Sequence, residues 1–223
     1  MKMDATTTKT LEISQPVHIY TPFYCEENVF FLCKKLIDDG VADGEGMDLF
    51  VVFISNDRKQ VPLWHQKASH RADGAVLWDY HVVCVQKRKD AGSPHLVWDL
   101  DTTLSFPSPL NLYLSNAIKP SFHLFSEYQR LFRIVHAPLF LRYFASDRRH
   151  MKDSAENWIA APPAYDPIKS QDGTINNLNE YMEIQASEEL TKGEAEAIAM
   201  MLTNKLGVVL NESRLADFFL KLP

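Results

Sequence analysis

Residues 75–104 read AVLWDYHVVCVQKRKDAGSPHLVWDLDTTL, and the fold class turns on them. Two apolar stretches rich in β-branched residues, Ala75–Gln86 and Leu96–Leu104, flank the polar stretch Lys87–Pro94. Strands this close in sequence pair antiparallel through a short turn, whereas a parallel pair needs a crossover of a dozen or more residues. Alternate side chains of a strand share one face. His81 therefore groups with Asp79 and Val83, and Asp99 with Val97 and Asp101. A hairpin centred on Asp90 sets His81 directly opposite Asp99, at the ~5 Å Cβ spacing of cross-strand neighbours. That register predicts an imidazole–carboxylate hydrogen bond, and a slip of one residue would break it. Asp101 is the rival partner, but it faces Asp79 in this register, so Asp99 is preferred.

Working outward, Leu49–Ser55 (LFVVFIS) is a continuous apolar run of the kind found in fully buried strands. Val61–His65 returns as a second strand after the polar turn Asn56–Lys59, interrupted near its start by Pro62. Upstream, Val29, Leu32, Cys33 and Leu36 recur at helical spacing and predict a helix over Glu26–Ile37. Downstream, Ser105–Pro109 is a loop, and Leu110–Ile118 and Phe122–Phe132 read as helical. Arg133–His136 is a short strand candidate, and Ala161–Gly173 is extended. Glu188–Asn204 and Glu212–Leu220 read as C-terminal helices. One helix, then antiparallel strands, then more helices is an α+β pattern. The expected organisation is a loose tail over residues 1–16 and one domain over 17–223, with a helical segment from about 183 onward.

Hydrophobic residues make up 46% of the 223 residues and charged residues 23%, the balance of a globular domain. A net charge of −6 argues against binding nucleic acid through its phosphates and does not repel a substrate with a positive end. Cysteines stand at 25, 33 and 84 with no C-x-x-C, which points to a reducing compartment and away from a structural zinc site. The first residues, MKMDATTTKT, lack an apolar signal core, and no stretch reaches the ~18 apolar residues of a membrane span. The expectation is a cytoplasmic protein with access to the nucleus, a monomer, without metal or other cofactor and without a membrane partner.

Cys25 lies in YTPFYCEEN, where extended chain gives way to helix. A thiol at a helix start meets unpaired N–H groups and the positive end of the helix dipole, both of which favour the nucleophilic thiolate. Glu26 and Glu27 oppose this unless a cation offsets them. Cys33, on the apolar stripe, and Cys84, in VVCV, read as core. A thiol nucleophile needs an imidazole to take its proton and return it to the leaving group, and a carboxylate to orient that imidazole. Cys25, His81 and Asp99 supply the three groups. The plain alternatives are a small buried cysteine and a half-buried strand histidine. His65, His70 and His95 sit near turns and read as solvated, while His150 in SDRRHMKD is a candidate for the rim of a site.

Six blocks in order, YCEEN (24–28), VFISNDRKQVPLW (52–64), VLWDYHVV (76–83), WDLDTTLSFP (98–107), FASDRRHMKDS (144–154) with NW (157–158) and PPAY (162–165), and NLNEYM (177–182), carry a specific resemblance. The sequence resembles the protein N-terminal glutamine amidohydrolases. The resemblance covers most of residues 20–182 and weakens beyond them. It implies a papain- or transglutaminase-like α+β fold, with the nucleophile on an N-terminal helix packed against an antiparallel sheet. It also implies a triad of Cys25, His81 and Asp99, and conversion of an N-terminal glutamine to glutamate with release of ammonia in the N-degron pathway. The partners implied are protein or peptide substrates with N-terminal glutamine and other components of that pathway. Specificity for a first residue calls for a counter-charge to the α-ammonium. Glu26, Asn28 and Asp79 are candidates by proximity, with Tyr24, Trp78 and Tyr80 as walls of the pocket. A cysteine protease or transglutaminase on the same scaffold, or a non-catalytic binding module, are the rival readings.

Overall fold

The helix predicted from the Val29–Leu36 stripe forms as α1 (Cys25–Asp38) in the computed structural model. The structure describes residues 20–90, 92–119, 124–191 and 193–222, so the expected tail over residues 1–16 lies outside the described residues. The entry to α1 is fixed locally. The Asn28 carboxamide accepts the Thr21 N–H and donates to the Thr21 carbonyl, both at 2.8 Å. Phe23 takes a φ of 71°, and the first helical bond runs from the Asn28 N–H to the Tyr24 carbonyl at 2.9 Å. The Asn28 carboxamide is thus occupied in holding the turn before Cys25.

The strands are β1 (Leu49–Ser55), β2 (Val61–Leu63), β3 (Val76–Trp78), β4 (His81–Gln86), β5 (Leu96–Trp98), β6 (Ser108–Pro109), β7 (Leu131–His136) and β8 (Val208–Asn211). Six form one antiparallel sheet in the order β6-β5-β4-β1-β7-β8, and β2 pairs with β3 in a separate ribbon. β1 is buried at every position, as its unbroken apolar run requires. Its Leu49, Val51 and Phe53 join one core cluster, and Phe50, Val52 and Ile54 join another. Helices therefore cover both faces. The first cluster takes residues of α1, of α3 (Ala137–Tyr143) and of α4 (Leu178–Met182). The second takes residues of α2 (Leu110–Tyr113), α5 (Glu194–Thr203) and α6 (Glu212–Leu220). The α+β class and the antiparallel sheet follow the sequence reading.

Five local features differ from the sequence reading. The β4–β5 hairpin pairs Cys84 with Trp98, Val85 with Val97 and Gln86 with Leu96, one residue off the centre at Asp90. Moving the centre by one moves each partner by two, so His81 and Asp99 keep a common face without being directly opposite. The expected strand Ala75–Gln86 is two elements, because Asp79 and Tyr80 leave the ladder: the Asp79 carboxylate accepts the Tyr80 N–H at 2.9 Å, a local bond that competes with strand pairing. Likewise the expected strand Leu96–Leu104 stops at Trp98. The helix expected over Phe122–Phe132 falls partly outside the described residues; within them Ser126–Tyr128 is a single tight turn and Leu131 already belongs to β7. β8, not expected at all, adds the last strand to the sheet.

Candidate active site

β4 opens at His81, and β5 closes one residue before Asp99. The two side chains meet where the ladder ends, with His81 Nε2 2.9 Å from Asp99 Oδ1. Asp99 is held from three further sides. Its Oδ1 accepts the Asp101 N–H at 2.9 Å, and its Oδ2 accepts the Tyr113 hydroxyl at 2.8 Å and the Gln66 amide at 3.3 Å. The break between β3 and β4 lets the Trp78 ring stack on His81, with centroids 5.3 Å apart and planes 16° from parallel. Trp78 Nε1 donates to Gln66 Oε1 at 3.2 Å, so Trp78, Gln66, Asp99 and His81 form a closed circuit of contacts. With Nε2 committed to Asp99, the other ring nitrogen, Nδ1, is buried without a hydrogen-bond partner.

The electrostatics follow from this arrangement. Burial works against the charged form of His81, but the Asp99 carboxylate and its hydrogen bond, with Asp101 and Asp79 behind, hold the imidazole above its ordinary value. Burial likewise pushes Asp99 up, yet His81, the Asp101 N–H and the Tyr113 hydroxyl keep it below the usual carboxylate range. His81 bonds Asp99 and not Asp101, whose carboxylate accepts the Tyr20 hydroxyl.

Cys25, partly exposed as a residue, begins α1, with its thiol beside the start of β4. The Val82 N–H approaches the sulfur and favours thiolate, but desolvation first, and then Glu26, Asp101 and Asp79, push the thiol well above its ordinary value. The thiolate expected from the helix dipole is therefore outweighed, and the thiol donates to Glu26 Oε2 at 3.7 Å. Glu27 has its own cation, Arg148, which clamps it bidentately at 2.8 and 2.7 Å. Cys33 and Cys84 are buried with their sulfurs 3.7 Å apart, as core residues.

The other candidates divide. Tyr80 is buried and donates its hydroxyl to Glu26 Oε2 at 2.8 Å. Tyr24 is buried before Cys25, its hydroxyl reaching the Ala160 carbonyl at 3.4 Å. Asp79 is exposed and near enough to act on both Cys25 and His81. The His150 ring lies 6.2 Å from that of Tyr80. Sequence reasoning missed Gln66, Tyr113 and Tyr20. It also missed the Val82 N–H, which no residue type announces. Among the described residues one group has metal-ligand spacing, His81, Asp99 and Asp101, with donor atoms within 4.8 Å of one another. Those donors are already engaged, His81 with Asp99 and Asp101 with Tyr20, which is a poor fit to a metal. No helix among the described residues is long and apolar enough to cross a membrane.

Comparison with known proteins bears on this geometry. A family model described as N-terminal glutamine amidase matches residues 20–219. A protein of Arabidopsis thaliana named protein N-terminal glutamine amidohydrolase is 55% identical over 221 residues, 99% of this chain and 100% of its own length. A relative of the same name from Oryza sativa subsp. indica is 54% identical, covering 92% of this chain and 88% of its own. A human one is 40% identical, covering 74% and 77%.

Proposed function

The chain belongs to the N-terminal glutamine amidase family, and on that premise we propose that it hydrolyses the side-chain amide of an N-terminal glutamine in proteins or peptides, giving glutamate and ammonia. The observation that carries the reading is the state of His81. Asp99 holds Nε2, while Nδ1 is left without a partner next to the strand position whose N–H meets the Cys25 sulfur. A thiol that is protonated at rest needs such a base.

In this reading His81 Nδ1 takes the Cys25 proton as the sulfur attacks Cδ of the glutamine. The tetrahedral oxyanion has donors at hand in the first-turn N–H groups of α1, which precede the first helical bond at Asn28, and in the Val82 N–H. As the C–N bond breaks, His81 returns the proton to the departing nitrogen and ammonia leaves a thioester on Cys25. His81 then deprotonates a water that attacks the thioester carbon, and the thiol is restored with glutamate as product. Asp99 stabilises the imidazolium at both stages. Trp78, Tyr80 and Tyr24 form the walls, and Glu26 and Asp79 are the carboxylates within reach of an α-ammonium.

The nucleophile on a helix against an antiparallel sheet with its base at a strand end supports a papain- or transglutaminase-like classification. A protein substrate with a new N-terminal glutamate supports a place in N-degron processing, with a monomer in the cytoplasm or nucleus as the working form. The decisive assay measures ammonia from peptides with N-terminal glutamine, internal glutamine and N-terminal asparagine, for wild type and Cys25→Ala. Ammonia from the first peptide alone, lost in the variant, is the expected result. Ammonia that survives Cys25→Ala would sink the mechanism.

A further inference from the structure

Glu26 is 1% exposed, next to the partly exposed Cys25. Its Oε2 accepts the Tyr80 hydroxyl and the Cys25 thiol, whereas its Oε1 is buried with no hydrogen-bond partner. A buried carboxylate oxygen left unpaired costs free energy, and a native fold keeps few of them. Nothing in α1 requires this one. The neighbouring Glu27 occupies the same helical turn and has its arginine, Arg148. Glu26 is also the charged group with the largest effect on the Cys25 thiol. Only a short aliphatic stem separates the glutamine amide carbon from the α-nitrogen. A carboxylate adjoining the nucleophile is therefore placed for a cation that a first residue carries and an internal residue lacks.

We propose that Glu26 Oε1 receives the α-ammonium of the substrate, and that this pairing releases the Cys25 thiol from Glu26 to His81. The inference rests on the deamidase reading above and deepens it: the substrate's own charge becomes the trigger for the nucleophile. Before binding, the carboxylate holds the thiol's proton and opposes thiolate. Once the ammonium neutralises it, that opposition ends and His81 Nδ1 is the acceptor left. No covalent bond changes in this step; the thiol keeps its proton until His81 takes it. The surrounding groups agree with a cation receptor. Tyr80 and Cys25 face Glu26 as neutral donors, the Tyr24 hydroxyl goes to the Ala160 carbonyl, Glu27 is spent on Arg148, and His150 lies behind Tyr80. Asp79 is the competing anion, but it is exposed, bonded to the Tyr80 N–H and screened by water.

The test compares a peptide beginning with glutamine and the same peptide beginning with des-amino glutamine, a 4-carbamoylbutanoyl group. Wild type, Glu26→Gln and Asp79→Asn are assayed for kcat/KM. Wild type should favour the amino peptide by at least about 30-fold, as for loss of one partner of a buried charge pair. Glu26→Gln should erase that preference, lowering kcat/KM for the amino peptide and, because it removes the charge that opposes thiolate, raising it for the des-amino peptide, and Asp79→Asn should retain the preference. Methylammonium added with the des-amino peptide should raise kcat in wild type and not in Glu26→Gln. A preference that survives Glu26→Gln, or one abolished by Asp79→Asn instead, overturns the proposal, and no methylammonium effect overturns the trigger. Binding of the two peptides to Cys25→Ala, with and without Glu26→Gln, reads the same preference without turnover. The receptor role thus stands or falls even if no ammonia is formed and the deamidase reading fails.

Discussion

Glu26 is stabilised as an acid and penalised as an anion by the fold that buries it. Desolvation raises its pKa from 4.5 to about 7, partly offset by its own backbone N–H and by Tyr80. A raised carboxyl pKa means that the folded state holds its proton more tightly than the unfolded state. Below pH 4.5 both states are protonated and no penalty exists. The penalty grows as pH rises from 4.5 to 7 and is complete above 7. Glu26→Gln removes the titration, so at pH 8 the variant should be more stable than wild type by about 3 kcal/mol, since each tenfold change in proton affinity is worth ~1.4 kcal/mol. At pH 4.5 the two should nearly coincide. Urea unfolding at both values checks this, and a gap that does not widen with pH rules it out. At this scale the sequence disclosed the residues whose chemistry is rare: a cysteine at a helix start, and a histidine and an aspartate of common parity. It hid Gln66 and Tyr113, which reach Asp99 from other segments with no periodic relation to it.

Among elements, period-2 reasoning worked where a strand was unbroken and failed where a side chain competed with the ladder. β1 is legible because an unbroken apolar run has one outcome in a covered sheet. The β3–β4 break is not, since Asp79 bonds its own neighbour's N–H and the periodic pattern runs straight through it. The His81–Asp99 contact survived a misplaced hairpin centre only because the error moved partners by two. β8 was readable in outline as VVLN after Gly207, yet the flanking helical patterns masked a four-residue strand. Gly207 is what lets β8 lie against β7. It has a φ of +61°, and a Cβ there would sit 1.9 Å from the Ile134 carbonyl oxygen. Gly207→Ala must therefore move backbone, whereas Gly40→Ala, with φ +69° and open space around it, meets only the left-handed penalty of about 1–2 kcal/mol. Thermal unfolding should show Gly207→Ala to be clearly the worse of the two. Equal losses would mean that β8 can shift without cost.

For the molecule as a whole, the question is what the residues after Met182 contribute, since the resemblance read from the sequence weakens there. They form a large part of the second core. Ala197 and Met201 of α5 and Leu215, Phe218 and Phe219 of α6 cover the face of the sheet that carries Phe132 and Ile134, while β8 closes the β7 edge. Arg130 is buried among them, bonded to Glu212 at 3.0 Å and to the Pro62 carbonyl at 2.8 Å. The same cluster includes Tyr113, whose hydroxyl holds Asp99, so the C-terminal segment is continuous with the wall behind the His81–Asp99 pair. A chain ending at residue 204 would expose this apolar face, open β7 as an unpaired edge and leave a buried guanidinium without its carboxylate. It should be aggregated or unfolded, not a soluble enzyme of lower activity. Adding a peptide of residues 205–222 during refolding should recover part of the ammonia release, because every contact it makes is noncovalent. Size-exclusion chromatography and circular dichroism of the truncated chain decide the matter. A monomeric, fully active truncation would show that β8 and α6 are an appendage and that the first core alone holds the site.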